Sequence, residues 1–235
     1  MSVDKRRADL KDAVGQVSDG STVLIGGFGD AGFPFGLLEG LEATQATELT
    51  LVANNAGQSS AAVLRMIQDH RIRKVICTYP RRDEPVLARA VAEQTIELEV
   101  VPQGTLAERI RAAGAGIPAF FLATAAGTAL GDGKETRDFD GRQHILETAL
   151  NADLALIKAH RADPWGNLTY HGAARNYNPV MATAAAVAVA EVDEVVELGS
   201  LDPETVVTPG IFIDRLIELD SSELRPPLRS PRAAA

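Results

Sequence analysis

The sequence predicts an α/β fold, an open and mainly parallel sheet with flanking helices. Through the first half, short apolar runs alternate with helix-like segments at a regular rhythm, the pattern of a parallel sheet with crossover helices. The first run, Val23-Leu24-Ile25, is apolar without polar alternation, as in a strand covered on both faces.

Strands are expected at Thr22–Gly26, Leu49–Ala53, Lys74–Thr78 and Ile96–Val101, with helices near Phe35–Glu42, Ala61–Asp69 and Pro85–Glu93. Pro34 suits the first turn of the earliest helix. A further helix follows Gln103-Gly104: Thr105 and Glu108 have the spacing of a capping box, Leu106 and Ile110 share a face, and Gly114 supplies a stop. Thr128 to Gln143, rich in Gly, Asp, Lys and Glu, reads as a loop or hairpin excursion. Beyond it come strands at Ala152–Lys158 and Asn167–Tyr170 and a helix with Asn178 as N-cap and Pro179 in its first turn. Later strands are expected at Ala186–Glu191 and Glu194–Leu198. Residues 1–220 read as a single domain; the tail 221–235, with three prolines, is expected to be flexible or held by a partner. No internal repeat is evident.

The chain has 235 residues, 46% of them apolar, enough for a full core. A net charge of −9 argues against nucleic acid or an anionic membrane as partner. Met1–Arg7 has no apolar segment behind it and is not read as a secretory signal, and the longest apolar stretch, Met181–Ala190, is too short to span a bilayer. The expected compartment is the cytoplasm. Cys77 is the only cysteine; it sits in an apolar strand and reads as buried and inert.

Gly26, Gly27, Gly29 and Gly32 are four glycines within seven residues, and the last three spell a literal G-x-G-x-x-G. A dinucleotide site also needs a carboxylate at the end of the second strand, where this chain has Asn54-Asn-Ala-Gly57. The nicotinamide reading is therefore disfavoured. Either the loop faces a ligand, offering backbone N–H groups to an anion or carbonyl oxygen, or it is only a tight strand-to-helix turn. The next strand exits raise the same choice. Gln103, in Val101-Pro-Gln-Gly-Thr105, carries a neutral amide suited to a developing oxyanion, or it is part of a plain turn. Arg81 and Arg82 either grip a carboxylate or belong to a solvated loop with Asp83 and Glu84. His70, His144, His160 and His171 lack metal-ligand spacing, no metal is expected, and no Ser sits in a nucleophile elbow. The chain has ligand-facing loops without an evident catalytic group of its own.

Several long motifs resemble the A (α) subunit of family I 3-oxoacid coenzyme A-transferases: Asp19 through Pro34, Asn54–Gly57, Pro102 through Phe120, Gly133-Lys-Glu135, Ala174-Arg-Asn-Tyr-Asn178 and Thr208-Pro-Gly-Ile-Phe212. The resemblance implies a CoA-transferase family I α/β subunit working with a B subunit, in a heterodimer or a dimer of heterodimers. It implies CoA transfer from succinyl-CoA to a 3-oxoacid, with the CoA thioester as substrate and no permanently bound cofactor. The nucleophile would be a glutamate of the B subunit, in a Ser-Glu-Asn-Gly-type segment that this chain lacks, forming a glutamyl anhydride and a glutamyl-CoA thioester. Gln103 falls on the family's oxyanion-stabilising amide, Asn54 on a residue beside the reacting carbonyl, and Gly26, Gly27, Phe28, Gly29 and Gly32 on the active-site loop. Two positions depart from the usual pattern. Cys77-Thr-Tyr-Pro-Arg-Arg-Asp83 replaces the Ser-Tyr-(Ile/Val)-Gly of acetoacetate-type members and looks more like enzymes acting on 3-oxoadipate. Thr124-Ala-Ala-Gly-Thr128 lacks the glycine that usually follows the first threonine. Arg81 or Arg82 would then bind the distal carboxylate of 3-oxoadipate. An acetoacetate-type acceptor is the alternative within the family. A ligand-sensing module on a similar fold is the alternative outside it, disfavoured because no helix-turn-helix-sized segment precedes Asp19.

Overall fold

The computed structural model describes residues 3–57, 60–80 and 85–224. Helix α1 (Leu10–Val14) precedes a regular run of β1 (Thr22–Ile25), α2 (Phe35–Ala43), β2 (Leu49–Ala53), α3 (Ala61–Gln68), β3 (Ile72–Cys77), α4 (Pro85–Ala92), β4 (Glu97–Val100) and α5 (Gln103–Gly114). A small sheet follows, from β5 (Ala119–Leu122), β6 (Thr136–Phe139) and β7 (Arg142–Thr148). The chain then returns through β8 (Ala152–Ala162), β9 (Leu168–Thr169), α6 (Asn178–Ala182), β10 (Ala185–Val195) and β11 (Arg215–Glu218).

The main sheet runs β11-β10-β8-β1-β2-β3-β4, all parallel, with β9 antiparallel on β8. The chain leaves β1 toward β2, β3 and β4, and β8 later joins the other side of β1. This reversal of strand order opens a crevice at the carboxyl ends, where sheets of this kind bind ligands.

Strand residues alternate between two covered faces. Val23, Ile25 and Leu51 pack with Leu37, Leu38, Val63 and Met66, whereas Leu24, Val52 and Ile76 pack with Leu106, Ile110 and Met181. Leu24 is fully buried, worth roughly 1.5–3 kcal/mol relative to exposure. Coverage of both faces is why the strands read as continuous apolar runs.

Several elements differ from expectation for identifiable reasons. Strand β3 begins two residues early, and its pairing with β2 skips Arg73, an exposed charge that interrupts the apolar run. The capping box at Thr105 does not form: α5 starts at Gln103 with Pro102 at the N-cap, Thr105 is buried with its Oγ1 unpartnered, and Glu108 pairs with Arg111. Gly114 is the last residue of α5, where a Cβ would strike Thr183, but the left-handed turn comes at Gly116 with φ of 70°. The two later strands are one, β10. Asp193 and Glu194 do not turn the chain but face Lys158, His160 and Arg161 on β8. The 128–143 excursion contains the β6–β7 hairpin, turned by Asp140-Gly141 with φ of 50° and 74°, the positive pair that a two-residue hairpin requires. Its pairing with β5 is additional to expectation, as are α1 and β11. Lys134 pairs with Glu147 on β7, and Arg109 bonds Glu99 (2.9 Å) and the Thr148 carbonyl (2.9 Å), tying the small sheet to α5 and β4. Of the segment expected to be flexible, 221–224 is described: Ser221 is buried and a short turn over Ser222–Leu224 follows.

Candidate functional site

The loop between β1 and α2 is shaped by its glycines and held by two amides, one just before α6 and one at its first residue. Gly26 donates to the Leu156 carbonyl (2.9 Å), and a Cβ at this position would overlap the Asn178 amide. Gly27 and Gly32 have φ of 106° and 64°, conformations that disfavour other residues. Phe28 and Ala31 exchange backbone bonds of 3.1 and 3.2 Å, leaving Gly29-Asp30 at the tip and the Phe28 ring half-exposed. Asn176 accepts from the Gly27 N–H (3.1 Å) and donates to the Ala31 carbonyl (2.9 Å). Asn178 donates to the carbonyls of Gly32 (3.0 Å) and Ala174 (2.8 Å) and accepts from the Lys158 N–H (3.0 Å). The expected N-cap role of Asn178 is not what its side chain does. Tyr177 takes the N-cap position, and the Asn178 amide serves the glycine loop and β8.

The neighbouring strand exits complete the site. Asn54 and Asn55, after β2, are buried at 7% and 5% exposure. The Asn54 carbonyl accepts from the N–H groups of Thr78 (3.0 Å) and Tyr79 (3.1 Å), and the Thr78 hydroxyl lies 2.8 Å from Asn54 Oδ1. Gln103 is exposed at the first position of α5, where the helix dipole and unpaired N–H groups favour negative charge. A cleft of about 570 Å³ is lined by Phe28, Gly29, Asn54, Thr78, Tyr79 and Gln103, together with Asp30 and Asn55. An adjoining hollow of about 440 Å³ shares Phe28 and Gln103 and adds Asn176 and Tyr177.

Of the residues singled out from the sequence, Phe28, Gly29, Asn54 and Gln103 therefore meet at one cleft. Gly26, Gly27 and Gly32 shape the loop behind it, and Arg81 and Arg82 lie outside the described residues. Local reading missed Asn55, Thr78, Tyr79, Asn176 and Tyr177 as site residues. The Asn54–Gly57, Cys77–Asp83 and Ala174–Asn178 segments were the available signal.

Residues 7–219 match the family model described as coenzyme A transferase. The chain belongs to the coenzyme A transferase family. It is 52% identical over 94% of its length to the A subunit of Pseudomonas putida 3-oxoadipate CoA-transferase, spanning 96% of that protein. It is 48% identical over 97% of its length to the A subunit of a Xanthomonas campestris succinyl-CoA:3-ketoacid coenzyme A transferase, spanning 94% of it. An Escherichia coli acyl-CoA transferase apoenzyme has the same fold, with a TM-score of 0.81 at 18% identity; the match covers 93% of this chain and 47% of that one.

In this transferase, Asp30 is the one charged residue among the described lining of the cleft, while charges gather on β8 and β10. Lys158 Nζ contacts Asp193 (2.7 Å) and Glu191 (3.2 Å), and Glu191 Oε2 accepts from the Leu37 N–H at the start of α2 (3.0 Å). Burial raises the Asp193 carboxyl, but hydrogen bonds from Lys158 and His160 outweigh it and hold the group below its usual range. Burial pushes the Tyr177 hydroxyl up to about 12, so it stays protonated and donates to the Gln103 carbonyl (3.2 Å). Burial likewise pushes the Cys77 thiol up to about 12. Among the described residues, no group of His, Cys, Asp and Glu is arranged to hold a metal, and no helix is long and apolar enough to cross a membrane.

Proposed function

We propose that this chain is the A subunit of a cytoplasmic heteromeric CoA-transferase, a heterodimer or dimer of heterodimers, that moves CoA from succinyl-CoA to a 3-oxoacid. The observation that carries the reading is the meeting of two neutral side-chain amides, Asn54 and Gln103, at one cleft beside the N-terminus of α5. Such donors suit the oxyanion of a tetrahedral acyl intermediate, and the chain lacks the Ser-Glu-Asn-Gly-type segment that would supply the attacking carboxylate. The succinyl-CoA carbonyl is attacked by a glutamate of the B subunit, and the thiolate leaves. The resulting anhydride is reopened by CoA, giving succinate and the glutamyl-CoA thioester, which passes CoA to the acceptor acid. Gln103 donates to each tetrahedral oxyanion, Asn54 sits beside the reacting carbonyl, and the Gly26–Gly32 loop lets the backbone approach the substrate. Residues 1–220 form the working unit.

The proposed acceptor is 3-oxoadipate, supported by the 52% identical Pseudomonas putida relative and by the adjacent arginines Arg81 and Arg82 in the sequence. The 48% identical Xanthomonas campestris relative favours a wider 3-oxoacid range as the second reading. The test is co-expression with a B subunit, followed by assay of CoA exchange over several 3-oxoacids. Turnover by this chain without its B subunit would overturn the two-subunit reading. Arg81→Ala or Arg82→Ala is expected to raise KM for 3-oxoadipate over a monocarboxylic 3-oxoacid, by a contact worth about 1.5–3 kcal/mol. Equal effects on both acids, or none, favour the second reading.

A further inference from the structure

We propose that the Thr78 hydroxyl is a positioning group that decides which end of the Asn54 amide faces the cleft. The inference rests on the role proposed for Asn54, but its geometric argument stands on hydrogen-bond capacity alone. Ala53 pairs with Cys77 at the ends of β2 and β3, so Asn54 and Thr78 are neighbours one residue beyond the ladder. The Asn54 backbone carbonyl already accepts two N–H bonds, from Thr78 (3.0 Å) and Tyr79 (3.1 Å), which occupy both of its lone pairs. The Thr78 hydroxyl has one proton to give. It lies 3.0 Å from that filled carbonyl and 2.8 Å from Asn54 Oδ1, which has open acceptor capacity. The proton goes to Oδ1. With Oδ1 held by Thr78, the NH₂ end of the amide is the end left for the cleft that both residues line. In the reversed amide the hydroxyl would accept from the NH₂, leaving its own proton to the filled carbonyl or to water, and the amide would present an oxygen to a developing oxyanion. Thr78 therefore makes Asn54 a donor toward substrate.

The experiment compares Thr78→Val, Thr78→Ser, Asn54→Ala and the Thr78→Val/Asn54→Ala double variant in complex with the B subunit. Thr78→Val keeps the side-chain shape and both backbone bonds. It is expected to lower kcat about tenfold, with KM within about twofold, because a transition-state donor is lost while binding is not. Thr78→Ser is expected to restore the rate, and Thr78→Val to add nothing in the Asn54→Ala background. A wild-type rate for Thr78→Val, no rescue by serine, or an equal slowing with and without the Asn54 side chain overturns the proposal. Should the valine variant not fold, Thr78→Ala removes the same hydroxyl and carries the same expectations. The side-chain amide resonance of Asn54, in the ¹⁵N-labelled full chain, is expected to move in Thr78→Val and return in Thr78→Ser. A complex that transfers no CoA refutes the proposed function, while that resonance still decides the hydroxyl–amide contact. An unmoved resonance refutes the contact even in an active enzyme.

Discussion

Two stretches of the same carboxyl edge, on either side of the β1–β8 crevice, are built from opposite chemistry. On the β8–β10 side, Lys158, Glu191, Asp193, His160, Arg161 and Glu194 are partnered with one another. On the β1–β4 side the cleft is lined mostly by glycine, hydroxyl and neutral amide groups, with Gln103 exposed. A charge already matched inside the protein has little left for a substrate, and moving it leaves its partner stranded. A neutral donor with open capacity can answer a charge that exists only in a transition state. The difference separates the side that holds the shape from the side where acyl transfer is proposed.

Lys158 anchors the charged side. Lys158→Met leaves the fully buried Glu191 carboxylate without its counter-ion and is expected to cost about 3–5 kcal/mol of unfolding free energy, read by denaturant titration. A loss in transfer rate without a loss in stability would move the charged side into the catalytic machinery. Gln103→Ala should behave in the opposite way. It is expected to lower kcat about 10²–10³-fold in the assembled enzyme while the unfolding midpoint stays put, because Gln103 is exposed and its carbonyl bond to Tyr177 survives. Near-normal turnover would remove the amide side from the chemistry. Asp193 gives the charged side a modest pH dependence. The Asp193 carboxyl is held below its ordinary 3.8, so its contribution to stability is complete above that value and fades as pH falls toward the lowered one. Thermal unfolding of wild type and Asp193→Asn should therefore converge with acidification in this window. The effect is small, because the side chain is nearly half exposed to solvent screening. A gap that widens with acid would contradict the assignment.

The central strands were legible because burial on both faces leaves an uninterrupted apolar run, and β1 and β2 appear within a residue of expectation. Short edge elements such as β5 and β11 were not, since partial exposure and a length of four residues give no distinct period. Long-range partners account for the other misreadings. Asp193-Glu194 looks like a break until β8 supplies its cations, and Asn178 looks like a cap until the glycine loop claims its amide. At the candidate site, local physics singled out Gln103 and the glycines because strand exits are where ligands bind in such sheets, and it left each with a plain-turn alternative. The function of Asn176 and Tyr177 depends on atoms more than 70 residues away in sequence, beyond the reach of any local pattern.

The single cysteine has a consequence for a CoA-transferase, an enzyme class whose substrates are thioesters. Cys77 is fully enclosed at the end of β3, with its thiol pushed up to about 12, so it offers no thiolate at the cleft. Thiol–disulfide exchange needs an attacking thiolate, and the single cysteine of this chain supplies none at its surface. Oxidative coupling of a small thiol to this chain is closed off by where one sulfur is placed.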